Sequence, residues 1–473
     1  MEPISAATAA SADPRRSLPG VDELLRMKEA DALLRLHPRP LVLEAIRATL
    51  DKARDAVARD EPVPTAAVLW PRVEAAIREA DFDRVRPVVN ATGILLHTGL
   101  GRAVLPAAAA KRLACLDRCV NLQIDLDTGL RGKRGAMNEA LLRRLTGAEA
   151  ALVVNNNAAA TLLALAALCA DREAIVSRGQ LIEIGGSFRL PDCIRQSGAR
   201  LVEVGTTNKT HLRDYEAALT EQTGAVLRVN PSNYRIVGFS SSVSVADLVT
   251  LKAKKSDLIV IDDLGSGALT DPRQYGLPAE PTVGESIAAG ADLVLFSGDK
   301  LIGGPQSGIL AGRRDLVQRI RKHPLTRMLR VDKLTEVALQ ETLRLFLDPE
   351  TLPARHPTLR MLTRPVPDLV RVANGIRRRV ARRAPGLEVD VRQGESAVGG
   401  GSFPGHPVPT VLLAVRKPGW PPEKLARQLR RHEPPVIARI GQDRVLLDMR
   451  TLLEGDADIV VSALAGLLSF PAI

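Results

Sequence analysis

Between Glu139 and about Arg330 the chain alternates short apolar runs with helical patterns, and no other feature restricts its fold as much. The runs at 150–154, 174–176, 201–204, 225–229, 258–261 and 291–296 have the length and composition of buried strands. The small-residue stretch from Asn157 to Leu168 between the first two reads as a helix. Such alternation calls for a mostly parallel sheet covered by helices on both faces. The expected fold class is therefore α/β, with this sheet as the centre of a large domain.

Two of these strands end in chemistry. After 291–296 comes Ser297-Gly298-Asp299-Lys300-Leu301-Ile302-Gly303-Gly304, which places Lys300 in a glycine-rich turn at a strand's carboxyl end. Open α/β sheets bind their ligands at that end. A lysine ammonium ordinarily titrates near ~10.4, but loss of water or a neighbouring cation lowers that value, and the neutral amine can form a Schiff base. The run 258–261 ends in Asp262-Asp263-Leu264-Gly265-Ser266-Gly267. A strand-end carboxylate beside a strand-end lysine is the pair that pyridoxal 5'-phosphate requires, the lysine for its aldehyde and the carboxylate for its protonated ring nitrogen. Sequence alone leaves open whether Asp262 or Asp263 faces inward.

A third element supplies an anion site. The run 150–154 is followed by Asn155-Asn156-Asn157-Ala158-Ala159-Ala160-Thr161, a polar turn opening a helix of small residues. Backbone N–H groups at such a helix start, unobstructed by side chains, suit a phosphate. Asn156, Asn157, Ala158 and Ser297 are the phosphate candidates.

Composition narrows the partners. A net charge of +11 favours a polyanion. Aromatic residues make up only 3% of the chain, too few for a long platform that grips single strands by stacking every base. The cysteines Cys115, Cys119, Cys169 and Cys193 lack the second close pair or histidines of a zinc site, and are expected as reduced thiols of a cytoplasmic protein. The first 12 residues carry no secretory pattern, and the apolar run 158–170 is too short to span a membrane.

Read in order, residues 1–17 are expected to be a disordered tail, 18–82 a small helical domain, 83–345 the large domain and 346–473 an α+β domain. In the helical part, apolar residues such as Leu24, Leu33, Leu41, Ile46 and Leu50 recur at helical spacing, and Pro38 and Pro40 divide it. The stretch 87–103 mixes apolar residues with Thr92, His97 and Arg102, which marks it as site material rather than plain core.

These residues resemble a known family, the bacterial L-seryl-tRNA(Sec) selenium transferases or selenocysteine synthases, fold-type I pyridoxal-phosphate enzymes. The resemblance is carried by Asn90-Ala91-Thr92-Gly93, Leu96-His97-Thr98-Gly99-Leu100-Gly101-Arg102-Ala103, Arg178-Gly179-Gln180-Leu181-Ile182-Glu183, Ser232-Asn233-Tyr234-Arg235, Asp263-Leu264-Gly265-Ser266-Gly267, Ser297-Gly298-Asp299-Lys300 and Gly399-Gly400-Gly401-Ser402. Two positions depart from the family pattern: Asn is usual where Gly99 stands and Glu where Gln180 stands.

What the resemblance implies is specific. Seryl-tRNA(Sec) is converted to selenocysteinyl-tRNA(Sec) with selenophosphate as donor, through a cofactor-bound aminoacrylyl-tRNA. Lys300 is the Schiff-base lysine and the base at the seryl Cα, Asp263 holds the pyridine nitrogen, and Asp299 is an active-site carboxylate. Arg102, Arg327 and Arg330 receive the oxyanionic selenium donor, for which planar guanidinium forks are suited. The amino-terminal helices recognise tRNA, and the protein is a homo-oligomer, a decamer-like ring of dimers. Two rivals share parts of this pattern. A lyase or aldolase acting on a free amino acid needs Lys300 and Asp263 but gives the three arginines no task, and a non-catalytic RNA-binding protein needs neither Lys300 nor Asp263.

Overall fold

The structure, a computed structural model, describes residues 14–80, 85–186 and 188–467. Residues 1–13 of the expected tail, the expected boundary at 82 and 83, and Ser187 lie outside the described residues. The chain divides into two compact units, Met1–Pro87 and Val88–Ile473.

In the first unit, helices α1 (Val21–Leu25), α2 (Lys28–Leu36), α3 (Arg39–Val57) and α4 (Ala66–Ala80) follow a single turn of 3-10 helix at Pro14–Ser17. Each long helix turns one apolar stripe inward. Val42, Ile46 and Leu50 of α3 meet Leu69, Val73 and Ile77 of α4, all of them buried. Burial of each such side chain contributes roughly 1.5–3 kcal/mol. The prolines at 38 and 40 start α3, as proline at the first helical turn can, and a further break at Arg26–Met27 divides α1 from α2.

The second unit carries two large sheets. Its strands are β1 (Val89–Ala91), β2 (Ala150–Val154), β3 (Glu173–Ser177), the short hairpin β4 (Glu183–Ile184) and β5 (Phe188–Arg189), β6 (Arg200–Val204), β7 (Thr223–Val229), β8 (Ile259–Gly265), β9 (Leu293–Ser297), β10 (Gly308–Gly312), β11 (Glu388–Ser396), β12 (Val408–Arg416), β13 (Val436–Gly441) and β14 (Arg444–Asp448). The first sheet has the order β2-β10-β9-β8-β7-β3-β6. Strands β6, β3, β7, β8 and β9 are parallel neighbours, and β10 runs against both β9 and β2. The antiparallel β10 was not legible in the sequence, where 308–312 follows the glycine-rich turn without a break.

Because side chains alternate along a strand, the sheet buries a separate core on each face. Val260, Val294, Phe296 and Ile309 face one core, closed by helices Ala136–Thr146 and Lys333–Leu345. Ile259, Ile261, Leu293, Leu295 and Leu310 face the other, closed by helices Asn157–Cys169 and Arg314–Lys322. The helix Asn157–Cys169 is apolar on nearly every side because none of its residues is exposed; it lies against strands β2, β3, β7, β9 and β10, with Leu163, Leu165 and Leu168 buried.

The second sheet, β1-β13-β14-β12-β11, is backed by helices Val366–Arg383, Pro422–Arg430 and Asp456–Gly466. Val366–Arg383 buries Leu369, Ala373, Ile376 and Val380, a stripe at helical spacing beneath its arginines. Its edge strand β1 comes from the stretch that the sequence assigns to the large domain. Val89 and Ala91 are buried in this second core, and the strand pairs in parallel with β13. Among the described residues no helix is long and apolar enough to cross a membrane.

One buried histidine ties the lysine turn to the rest of the unit. His356 caps the helix Pro357–Thr363: its Nδ1 accepts from the N–H of Leu359 at 3.2 Å, so its Nε2 donates to the carbonyl of Ile302 at 2.7 Å. Burial pushes this imidazole from its ordinary 6.5 down to about 4. Unfolded, His356 binds a proton below about pH 6.5; folded, it resists until about pH 4, so its stabilisation is complete above pH 6.5 and is lost as pH falls through 4. The full loss amounts to roughly 3 kcal/mol. A His356→Asn variant is expected to melt well below wild type at pH 7 and to close most of that gap at pH 4.5; a gap that does not change with pH contradicts the assignment.

Candidate active site

The sheet register decides which carboxylate does what. Asp262 and Asp263 are successive residues of β8 and so point to opposite faces. Asp262 sits on the Val260 face beside Arg228 of the neighbouring β7, whose Nη1 donates to its Oδ1 at 2.6 Å; Ser286 donates to its other oxygen at 2.6 Å. It is a structural ion pair in which the carboxylate is fully buried and the guanidinium largely so. Asp263 faces the helix Asn157–Cys169. Asn157 Nδ2 donates to its Oδ1 at 2.8 Å, Thr161 Oγ1 to its Oδ2 at 3.0 Å, and the Gly265 N–H to Oδ1 at 3.2 Å. Asn157 and Thr161 are one helical turn apart, which puts both donors on one face.

Lys300 lies in the turn that leaves β9, the parallel neighbour of β8, and shares with Asp263 a cavity of about 320 Å³. Asn156, Asn157, Ala158, Ser297 and Arg102 also line it. Lys300 is buried, and that burial lowers its hold on a proton; the Arg102 cation lowers it further, while Asp263, Asp299 and Glu280 oppose. Its amine is thus biased toward the neutral, nucleophilic form. Over it lies the turn of Gly399, Gly400 and Gly401. Gly401 has φ +73, and a Cβ there would come within 3.3 Å of Lys300 Nζ and of Ser232 Oγ. This turn is fixed by the 87–103 stretch, where Leu95 and Leu96 donate to the carbonyls of Ala397 and Val398.

Arg102 closes the cavity from the same stretch. Its φ of +61 is unusual for a residue with a Cβ, and its Nη1 donates to Asp299 Oδ2 at 2.7 Å. Arg327 and Arg330 are placed elsewhere. They are exposed and do not line the cavity; Arg330 bridges to Val154 at the end of β2, just before the Asn156 turn. The charges of Arg134, Arg327 and Arg131 lower the hold of Arg330 on its proton, as expected in a cluster of cations short of anions.

The walls fit pyridoxal phosphate. Asp263 is a buried carboxylate whose burial pushes its pKa up despite its hydrogen bonds, so a protonated ring nitrogen meets a need that the protein's own donors leave open. Asn157 Oδ1 is a buried acceptor without a partner. At the other side stands the start of the helix Asn157–Cys169, capped by Asn156, whose Oδ1 accepts from the Ala159 N–H at 2.9 Å. Gly308 lets this turn pack onto β10, since a Cβ there would collide with the Asn156 backbone.

Carboxylate, amine and anion site arranged on this sheet define a class, the fold-type I pyridoxal-phosphate enzymes. The same fold is seen in the solved structure of D-glucosaminate-6-phosphate ammonia-lyase, with a TM-score of 0.56 and 22% identity, covering 82% of this chain and 97% of that one. Within the class, the chain belongs to the L-seryl-tRNA selenium transferase family, whose model matches residues 88–453. A second model, described as selenocysteine synthase N terminal, matches residues 15–54. The L-seryl-tRNA(Sec) selenium transferase of Geobacter sulfurreducens is 47% identical over 460 residues, covering 96% of this chain and 99% of its own. That of Moorella thermoacetica is 46% identical over 452 residues, covering 95% and 96%.

Several participants were not named as site residues from the sequence, although Ser232 and Gly401 lie in segments that carry the family resemblance. Thr161 was visible only as the end of the polar turn, and its spacing from Asn157 was the available clue. Ser232 and Gly401 reach Lys300 from distant segments. Glu280, buried between two prolines' neighbours in the chain, affects Lys300 through its charge and has no pattern around it. Of the two departures from the family pattern, Gln180 is buried and its Oε1 accepts from the Val229 N–H at 3.0 Å, an acceptor role that an amide fills without a charge.

The two aspartates are expected to separate experimentally. Asp263→Asn should lower kcat roughly 10²-fold or more while the protein stays folded. Asp262→Asn leaves Arg228 largely buried without its partner and should cost roughly 3–5 kcal/mol of stability, read as a lowered thermal midpoint. The opposite pattern contradicts the assignment of faces.

Proposed function

We propose that this enzyme converts the seryl group of L-seryl-tRNA(Sec) to selenocysteine while it remains esterified to the tRNA, with selenophosphate as the selenium donor. The observation that carries the reading is the burial of Lys300 beside Asp263 in a cavity closed by the Arg102–Asp299 ion pair. A pyridoxal enzyme needs the first two groups; an arginine held over them is what an oxyanionic donor adds.

Pyridoxal phosphate, held at its aldehyde by Lys300, at its ring nitrogen by Asp263 and at its phosphate by the Asn156-Asn157-Ala158 turn with Ser297, supplies an electron sink for charge developing at the seryl Cα. Lys300 would be the group positioned to move the proton at the seryl Cα, and its reduced proton affinity suits that exchange. Loss of that proton and of the β-hydroxyl as water would open Cβ to selenium, the donor's phosphate leaving as inorganic phosphate. Asn157 and Thr161 keep the Asp263 carboxylate in one orientation, and Asp299 keeps the Arg102 fork turned toward the cavity.

Arg327 and Arg330 belong to the donor in the same reading. They stand outside the cavity walls, so the donor meets them on an approach from the surface, as at a boundary between subunits. Exposed Val120, Ile124, Leu126 and Leu130, gathered in one stretch of chain, support a second copy as their cover and a homo-oligomer built from dimers. The first unit takes the role of tRNA recognition, in keeping with the match of its residues 15–54. The substrate tRNA and the free thiols, two of them exposed, suit the cytoplasm.

Purified protein supplied with seryl-tRNA(Sec) and selenophosphate is expected to yield selenocysteine on that tRNA, and to leave free serine and seryl-tRNA(Ser) unchanged; turnover of free serine contradicts the reading and moves the enzyme to the lyases. Removal of residues 1–80 is expected to weaken tRNA binding by at least an order of magnitude while the visible absorbance of lysine-bound cofactor persists. Unchanged tRNA affinity contradicts the role of the first unit.

A further inference from the structure

The reaction as proposed uses the cavity of Lys300 but leaves the other half of the substrate without a place. Only a carbonyl carbon and an ester oxygen lie between the seryl Cα and the terminal ribose of the tRNA. When Cα is at Lys300, the last nucleoside must therefore occupy the space next to it. A second cavity, of about 330 Å³, adjoins the first and shares Asn230 with it. Its size lies within the range of pockets that enclose small ligands.

The walls of this cavity bring hydroxyls and amides together with apolar side chains such as Pro231, Ile236 and Pro404. Ser177 and Thr210 are hydrogen-bonded to each other at 2.7 Å, and Thr207, Asn208 and Asn230 stand around them. Arg228 in the wall is already committed to Asp262. Arg235 and His406 also line the cavity, Arg235 from an exposed position; the buried charged group is Glu280, which is only 7% exposed and whose Oε1 is buried without a hydrogen-bond partner. A buried carboxylate oxygen left open repels an oxyanion such as selenophosphate, and it accepts readily from a hydroxyl. A ribose carries such hydroxyls.

The rim supplies a surface for the base. Tyr234 lines the cavity with its hydroxyl donating to the Gly179 carbonyl, so its ring is held in place. Phe239 is 88% exposed in a chain with few aromatics, and Asn208 of the cavity wall donates to its carbonyl. Lys209 lies 5.9 Å from the centre of its ring. Unpaired bases are recognised by stacking on such rings, with cations alongside.

We infer that this second cavity is the subsite for the 3′-terminal nucleoside of the aminoacyl-tRNA, with Glu280 accepting a hydrogen bond from the ribose 2′-hydroxyl and Phe239 stacking on the base. The inference rests on the seryl-tRNA reading and assigns Glu280 and Phe239 a place in substrate binding. It also explains why the Oε1 of Glu280 is kept buried without a hydrogen-bond partner.

The test couples the substrate to the residue. Wild type is first assayed on seryl-tRNA(Sec); absence of selenocysteine formation overturns the proposed function and this subsite with it. Given turnover, seryl-tRNA(Sec) ending in 2′-deoxyadenosine and serylated on its 3′-oxygen is expected to lose about tenfold in kcat/KM with wild type. With Glu280→Ala the same change of substrate is expected to cost less than twofold, because the acceptor for the 2′-hydroxyl is already gone. An equal loss with both enzymes overturns the Glu280 contact while leaving the reaction established. Phe239→Ala is expected to raise KM about tenfold with kcat and cofactor absorbance near wild type. An unchanged KM overturns the stacking surface, and a lost cofactor absorbance would show a structural role instead.

Discussion

Everything at this site depends on a carboxylate and an amine being held out of water at the ends of two neighbouring parallel strands. Asp263 and Lys300 are both buried, and a buried charge is costly unless something pairs with it. The protein meets that cost partly through Asn157, Thr161 and the Gly265 N–H, which hold Asp263, and partly by lowering the proton affinity of Lys300. What remains unmet is a cation at Asp263 and an electrophile at Lys300. Pyridoxal phosphate is both.

The dependence runs through the register of the sheet. A shift of β8 by one residue would send Asp263 toward Ser286 and Arg228 and bring Asp262 to the helix Asn157–Cys169. Both cores of the sheet resist such a slip, since Ile259, Val260 and Ile261 would all change faces as well. The same strands that bury the bulk of the apolar surface thus choose which carboxylate enters the cavity of Lys300. Around this rigid centre the remaining pieces come from far along the chain: Arg102 from the 87–103 stretch, the Gly399–Gly401 turn above Lys300, and Ser232 beside it. Arg102 and the glycine turn support each other, because the first leaves a backbone segment whose preceding residues pair with the strand before the second.

This division explains what could be read beforehand. The parallel sheet was legible because buried strands are short apolar runs and their helices have a distinct period. The lysine, the aspartate and the polar turn were legible because each ends a strand. The strand β10 was not: 308–312 runs on from the glycine-rich turn, and only the pairing shows a strand there, directed against its neighbours. The edge strand β1 lies in the stretch grouped with the large domain, and its partner was not legible either, since Val89 and Ala91 are apolar in any sheet and pair with β13 only in the folded chain. Which of two adjacent aspartates faces the cofactor depends on strand phase, and the role of Glu280 depends on contacts that no spacing encodes. Arg327 and Arg330, grouped with Arg102 by resemblance, are set apart from it within one chain.

The central claim is that Lys300, and no other lysine, carries the cofactor in the cavity with Asp263. It is tested most directly by reducing the purified, cofactor-loaded protein with borohydride and identifying the modified peptide by mass spectrometry. The account predicts a pyridoxyl group on Lys300 alone. The same group on any other lysine, with Lys300 unmodified, would contradict it.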